Sequence, residues 1–305
     1  MTSLPPVGSR VSLRYRLPAS STPPLTDVIG DLQAVEPVIV VRTKSDGLVE
    51  VNPADVVAVR ELSVVPVRAS EIRALEHAAT LAWPGTEQQW QGGWLLRAGG
   101  GYTSRANSAV PLDFSATLDA LPGIVDWYGQ RGLPPWLALP ERLLAIRAEG
   151  IKHTRVMVGD LTGDLTGVEA DPEVALLARP DAAWLAGYER DVPAEVLTAV
   201  VNGEVVFASL GTAAVGRAAV TTAPDGTRWL GISAVHVGAR IRRRGHARRL
   251  CGALLGWGTE RGATRAYVQV LSDNEGAILL YHSLGFRLHH HHRYVDARSL
   301  TARSL

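Results

Sequence analysis

Apolar and polar residues alternate over Arg10–Leu17, where Val11, Leu13 and Tyr15 fall on one face, and the run Val-Ile-Val-Val stands inside Pro37–Thr43. Alternation resumes over Leu48–Val51 after the turn signal Asp46-Gly47, and Pro, Ser and Thr crowd residues 18–24 into a loop. Strands this short and this close together predict a small β-barrel over residues 1–66.

The period then changes. Ile72, Leu75, Ala79 and Ala82 fall on one side at helical spacing. Trp94–Ala98 and Thr103–Pro111 read as a hairpin around Gly99-Gly100-Gly101. A helix over 115–130, a strand Trp136–Leu139, a helix over 141–148 and a strand His153–Val158 follow. The polar, Gly-rich stretch 159–167 marks a linker. Beyond Asp171 the pattern predicts a short strand Val174–Leu177, helices Asp181–Tyr188 and Ala194–Val201, and three strands at Val205–Leu210, Ala213–Val220 and Trp229–Val237. A helix from His246 to about Gly258, a strand Ala266–Leu271, a helix Glu275–Leu284 and a strand Arg287–Val295 complete it. The expected division is a barrel at 1–66, a lobe at 67–160, a linker at 161–170 and a final domain at 171–305. The order strand, helix, Gly-apolar, strand occurs in both later regions, at Gly150-Ile151 and at Gly285-Phe286, so the middle lobe reads as a degenerate copy of the last domain.

Composition adds exclusions. The chain has 305 residues, 46% hydrophobic and 20% charged, enough for two or three domains with proper cores. Its net charge of +1 exerts no global pull on nucleic acid or membrane. A single cysteine, Cys251, excludes an internal disulfide framework or a cysteine-based zinc site, and its place on the apolar stripe of a helix points to packing. Residues 1–10 hold no apolar signal segment and no apolar run approaches the length of a membrane span, so a cytoplasmic location is expected.

One stretch stands apart: Val235-His236-Val237, then Gly-Ala-Arg-Ile, then Arg242-Arg243-Arg244-Gly245-His246-Ala247-Arg248. A strand ends, a turn follows, and a helix begins at a glycine. The first N–H groups of a helix lack intrahelical partners and sit at the positive end of its dipole, so they suit a pyrophosphate. Six arginines lie between Arg240 and Arg249. They could form a solvated face or a nucleic-acid patch, but they bracket the turn where a phosphorylated ligand would rest. Coenzyme A offers both a pyrophosphate and a 3′-phosphate. A Walker loop and a Gly-x-Gly-x-x-Gly fingerprint are absent.

These residues carry a resemblance. Arg242-x-x-Gly245-x-Ala247 resembles the Gln/Arg-x-x-Gly-x-Gly/Ala signature of the GNAT acetyltransferase superfamily, and Asn274-x-x-Ala277-x-x-Leu280-Tyr281-x-x-x-Gly285-Phe286 resembles its second motif. The match covers about 170–296. The whole chain resembles an actinobacterial GNAT group with an N-terminal Tudor-like barrel, and residues 92–97 and 105–108 are similar to its middle part. The resemblance implies an α/β (α+β) fold with a central mixed, mostly antiparallel sheet, and transfer of acetyl from acetyl-CoA to an amine attacking directly in a ternary complex. It places the pyrophosphate on N–H groups from Arg243 to Arg248, with Arg242 opening the motif. The pantetheine arm would run along Val235–Val237, with an N–H, that of Val237, on the thioester carbonyl. Asn274 would touch the arm and Tyr281 would be the general acid, a phenol being protonated at neutral pH.

The base is less legible. In this superfamily it is often a glutamate on the strand before the phosphate turn; Trp229–Val237 holds none, and His236 is its one good titrating side chain. A water relay or a carboxylate from the middle region are alternatives. His289–His292 would put two histidines on each strand face, but no third ligand is evident and no metal is expected. Trp184 and Trp229 read as packing residues rather than an acceptor wall. The competing functions are a non-catalytic acyl-CoA sensor and, less favoured, a nucleic-acid-associated protein. A protein substrate recruited by the barrel is a possible partner; a membrane is not expected.

Overall fold

A computed structural model describes residues 4–45, 47–63, 66–146, 148–163, 165 and 171–301. Asp46 of the expected turn, and residues 164 and 166–170 of the expected linker, lie outside the described residues. The chain forms two compact units, Met1–Pro66 and Val67–Leu305.

The first unit is an antiparallel sheet of β1 (Arg10–Arg16), β2 (Leu25–Ala34), β3 (Ile39–Thr43), β4 (Leu48–Val51) and β5 (Val56–Leu62), in the order β4-β3-β2-β1-β5. Alternate residues face inward, so Val11, Leu13, Val28, Leu32, Ile39, Val41 and Val51 make its core. Among the described residues no pairing closes β4 onto β5; the module is barrel-like in strand order but open. Sequence reading missed β2 and β5. In β2 the apolar Leu25 and Ile29 face outward and Gly30 faces inward, which blurs the alternation.

The second unit begins with α1 (Ala69–Ala82), whose start is fixed by Glu71 accepting the Arg68 amide at 2.7 Å. A three-stranded sheet follows, β6 (Glu87–Gln91), β7 (Trp94–Ala98) and β8 (Val110–Pro111). Its hairpin turns at Gly92-Gly93, not at Gly99–Gly101 as expected. The latter glycines form a loop because Asn107 Oδ1 accepts the N–H groups of Gly99 and Gly101 at 2.8 and 2.9 Å. β6 was missed because Glu-Gln-Gln-Trp-Gln carries no apolar face. Then come α2 (Leu121–Gly129), shorter than the helix expected over 115–130, and β9 (Trp136–Pro140) and β10 (Ile151–Asp160). Among the described residues the helix expected over 141–148 does not form. Residues 141–144 turn, with Arg142 left-handed at φ 68°, and Leu144, Ile146 and Ala148, at every second position, pack on the core of β7, α2 and β9.

The remaining elements are β11 (Ala175–Leu177), α3 (Ala182–Tyr188), α4 (Ala194–Thr198), β12 (Glu204–Leu210), β13 (Ala214–Thr222), β14 (Arg228–Val237), α5 (His246–Glu260), β15 (Arg265–Leu271), α6 (Glu275–Ser283) and β16 (Arg287–Asp296). They build an eight-stranded sheet ordered β11-β12-β13-β14-β15-β10-β16-β9. All its named pairings are antiparallel except β14 with β15. β10 and β9, from the region read as a separate lobe, are therefore strands of the same sheet as those after Asp171, and β10 lies between β15 and β16. Helices cover both faces. α5 and α6 pack on one, through Leu250, Leu254, Ile278 and Tyr281. α1, α3 and α4 pack on the other, through Leu75, Trp184 and Leu197.

A buried cation ties that second face together. Arg217 on β13, fully buried, donates from Nε to the Leu197 carbonyl at 2.7 Å and from one terminal nitrogen to the Ala82 and Ala199 carbonyls at 2.8 and 3.1 Å. It satisfies carbonyls left over at the ends of α1 and α4, where the helix dipole favours positive charge. Burial lowers its pKa to about 9. Among the described residues no helix is long and apolar enough to cross a membrane.

Candidate active site

The site begins where two strands part. β14 and β15 pair in parallel over Trp229–Ile232 and Arg265–Val268, and no further. Just beyond, β14 bulges: Arg217 faces Ser233, but Val215 faces His236, and Ala234 takes φ 53°. The bulge bends β14 away from β15 and opens a cleft of about 500 Å³ through the sheet. It also sorts the side chains. Val235 and Val237 turn to the α5/α6 core, while Ala234 joins the α3 face. Ser233 accepts the Trp83 indole N–H there at 3.2 Å.

On the α5 side the chain passes through a 3-10 turn at Ala239–Ile241, extends at Arg242, turns left-handed at Arg243 (φ 65°) and enters α5 through Gly245 at φ 82°. Gly245 has no side chain to cap the helix, and a Cβ there would meet nothing within 4 Å. The N–H groups of the first turn thus face open space beside exposed Arg242, Arg243 and Arg244, and the residues present fit a diphosphate. His246 and Ala247 are half-buried at the start of the helix.

The arginines do not act alike. Arg242 Nε returns to the Val237 carbonyl at 3.2 Å. Arg248 donates to the Ser283 carbonyl at 3.3 and 2.9 Å, fastening α5 to the end of α6. Arg249 is bound by Asp171 and Glu173, which raise its pKa. Cys251 is fully buried, which pushes its thiol up to about 12, so it is a packing residue.

α6 brings two expected residues to the cleft. Asn274 caps the helix, its Oδ1 accepting from the Ala277 N–H at 3.2 Å, and both residues line the opening. Tyr281 lies one turn further along. Its ring is 7% exposed and packs edge-on to Phe286 at 5.7 Å. Among the described residues its hydroxyl makes no hydrogen bond to protein, and the side chain lines the cleft. Burial raises the phenol pKa well above its usual value, so it stays protonated.

The opposite face holds His236. Its Nε2 lies 3.3 Å from the carboxylate of Glu189, the left-handed residue that ends α3. Sequence reading missed Glu189, which is 47 positions before His236 and in no motif. It also missed a buried polar chain. Glu76 of α1, 3% exposed, accepts from His290 Nε2 at 3.0 Å, and His292 Nδ1 lies 3.5 Å from the same oxygen. Burial opposes charge on Glu76, but the two histidines outweigh it and hold the carboxyl well below the usual carboxylate range. The Gln269 amide nitrogen reaches Glu76 at 3.5 Å, and its oxygen accepts from Arg105 Nε at 3.0 Å.

Strict alternation along the histidine run fails. A register shift opposite Val156/Met157 puts the Nδ1 atoms of His289 and His290 2.8 Å apart, and burial lowers His289 to about 3. Trp184 and Trp229 are buried away from the cleft; Trp184 Nε1 donates to the Ala208 and Gly216 carbonyls at 3.0 and 3.1 Å. Val235, His236, Asn274 and Tyr281 thus share one cleft. Val237 and the turn 242–248 lie just past its edge on the α5 side.

Comparison with known proteins gives a consistent set of relatives. Residues 69–295 match the family described as "Probable histone acetyltransferase Rv0428c C-terminal", and residues 5–60 match "Rv0428c N-terminal Sm-like domain", where the sequence had suggested a Tudor-like module. The chain is 51% identical over 303 residues to the "Probable histone acetyltransferase Rv0428c" of Mycobacterium tuberculosis, covering 98% of each chain. It is 25% identical over 252 residues to the "Uncharacterized N-acetyltransferase YobR" of Bacillus subtilis, covering 73% of this chain and 98% of that one. Among solved structures, a GCN5-related N-acetyltransferase from Kribbella flavida aligns with a TM-score of 0.51 at 18% identity, over 75% of this chain and 95% of its own. It shares the fold.

Proposed function

This chain belongs to the acetyltransferase family of Rv0428c, and we propose that it transfers an acetyl group from acetyl-CoA to a primary amine within a ternary complex. One observation carries the reading: the parting of β14 and β15 joins an open helix start at Gly245 on one face to a histidine–carboxylate pair on the other. A non-catalytic acyl-CoA sensor would need the first feature but not the second.

The N–H groups from Arg243 to Arg248 would hold the diphosphate, with Arg242, Arg243 and Arg244 supplying countercharge. Val235–Val237 would pair with the pantetheine arm as an added strand, with the Val237 N–H on the thioester carbonyl, and Asn274 would flank it. Bound there, acetyl-CoA supplies an activated acetyl thioester. His236 takes the proton from the attacking amine on Nδ1, with the Glu189 carboxylate, 3.3 Å from Nε2, stabilising the imidazolium that forms. The Tyr281 hydroxyl gives its proton to the departing sulfur; burial keeps that proton in place beforehand.

Thiol release from acetyl-CoA with a panel of primary amines tests the reading. Amine-dependent release is expected. Tight acetyl-CoA binding with no release for any amine would leave only the sensor function.

A further inference from the structure

The side of the cleft away from α5 and α6 is unbalanced in charge. Arg105, Lys152 and Arg190 line the cleft, and among the described residues no aspartate or glutamate does. Among the described residues none of the three has a carboxylate partner. Arg105 bonds to Gln269, Lys152 Nζ donates to Ser104 Oγ at 2.6 Å, and Arg190 lies 5.8 Å from the Tyr188 ring. Two acids beside the cleft are committed elsewhere: Glu189 to His236 at the rim, and Glu76 to His290 behind Gln269.

Arg105 is also positioned. A carboxylate can only accept, so Glu76 draws the amide nitrogen of Gln269 toward itself and turns the amide oxygen to Arg105 Nε. A second bond, from an Arg105 terminal nitrogen to the Gln269 carbonyl at 2.9 Å, fixes the plane of the guanidinium. A guanidinium held in this way loses little freedom when it takes up a planar anion. Lys152, bound only to a hydroxyl, keeps donors to spare. The open helix start for the diphosphate lies with α5, on the other face, so these cations do not serve it.

We propose that Arg105, Lys152 and Arg190 form an anion subsite that selects amines carrying a carboxylate near the reacting nitrogen. This rests on the transferase reading above. The name of the Mycobacterium relative assigns that protein a histone; a lysine-rich tail entering this cleft would meet like charge.

The test uses two peptides of equal length, each with a blocked N-terminus and one lysine, flanked by glutamates in one and by arginines in the other. At about 0.15 M salt, kcat/KM is expected to favour the acidic peptide by about tenfold or more, the value of charge-assisted hydrogen bonds. A Lys152→Gln, Arg190→Gln double variant, changing two exposed side chains, is expected to lose most of that preference. Equal turnover, or preference for the basic peptide, overturns the subsite. So does loss of acetyl-CoA binding in the double variant, which would make these cations part of the cofactor site. Calorimetric binding of both peptides needs no turnover. Tighter binding of the acidic peptide supports the subsite even if neither is acetylated, in which case the transfer reading alone fails; equal or reversed affinities overturn it.

Discussion

Tyr281→Phe separates chemistry from structure with little ambiguity. The substitution removes one oxygen from a ring held by Ile278, Leu284 and Phe286, and leaves that packing intact. Because the hydroxyl makes no hydrogen bond to protein among the described residues, its removal strands no buried partner. The expected stability cost is under about 0.5 kcal/mol, or about 1–2 °C in Tm for a unit of this size. Acetyl-CoA affinity should hold, since the proposed contacts to diphosphate and arm are backbone groups around Gly245 and Val235. If the phenol protonates the leaving sulfur, kcat should fall at least about tenfold, toward the 10²–10⁴ typical of a lost general acid. Its raised pKa adds a condition: the proton is retained above pH 10, so Tyr281 imposes no alkaline fall in wild-type kcat up to that pH. Steady-state kinetics, calorimetry with coenzyme A and a melting curve read the three terms. An unchanged kcat would remove Tyr281 from the mechanism, and a large drop in Tm would mean that the hydroxyl has a structural partner.

Four other substitutions probe the remaining parts. Gly245→Val forces a β-branched residue to a φ of 82° at about 1–2 kcal/mol, and should weaken coenzyme A binding about tenfold or more by calorimetry with no packing loss, since a Cβ there meets nothing. His236→Gln should lower kcat by about tenfold or more with the KM for acetyl-CoA unchanged, and Glu189→Gln should move kcat the same way by less; equal kcat in both variants would return the base to a water relay. Glu76→Gln should cost about 3 kcal/mol at pH 7 by breaking a buried pair. The folded-state pKa of Glu76 is depressed, so its contribution is complete above the ordinary value of 4.5 and drains away as pH falls below it. The wild type should therefore lose more Tm between pH 5 and 3 than the variant, by calorimetry.

What sequence could disclose follows from where each signal is stored. The passage from strand through turn to helix at Gly245 was legible because a strand end, a glycine and clustered arginines lie in one short run. Tyr281 and Asn274 were legible because a helix repeats at fixed spacing. The bulge at Ala234 was not, since nothing in Ser-Ala-Val-His marks an extra residue until β13 is laid beside it. The faces of His236 and of the histidine run depend on that bulge and on the register shift in β16, which pattern reading replaces with strict alternation. Glu-Gln-Gln-Trp-Gln became a strand through pairing with β7, not through its own propensity. The stretch after β9 looks helical by composition, but its described residues turn at 141–144, and Leu144, Ile146 and Ala148 find places on the neighbouring core.

The same division explains why the motifs are silent on the acceptor. Every residue that the GNAT signatures mark on a helix belongs to α5 or α6, on one face of the sheet. The other face is built by long-range placement: α1 supplies Glu76, the loop after β7 supplies Arg105, β10 supplies Lys152, α3 ends at Glu189, and β16 supplies His290. β10 is bonded on both sides, to β15 and β16, so the positions of Lys152 and Gln269 are set by a strand that precedes the Arg242–Ala247 motif by more than 70 residues. Burying Glu76 with histidines carries a desolvation penalty that an apolar α1 would avoid. An apolar side chain there would pack as well, but would leave Gln269 free to flip and Arg105 free to swing. The energy spent on that pair therefore goes into the orientation of one guanidinium in the cleft, which is where an enzyme with a shared cofactor site would distinguish one amine from another.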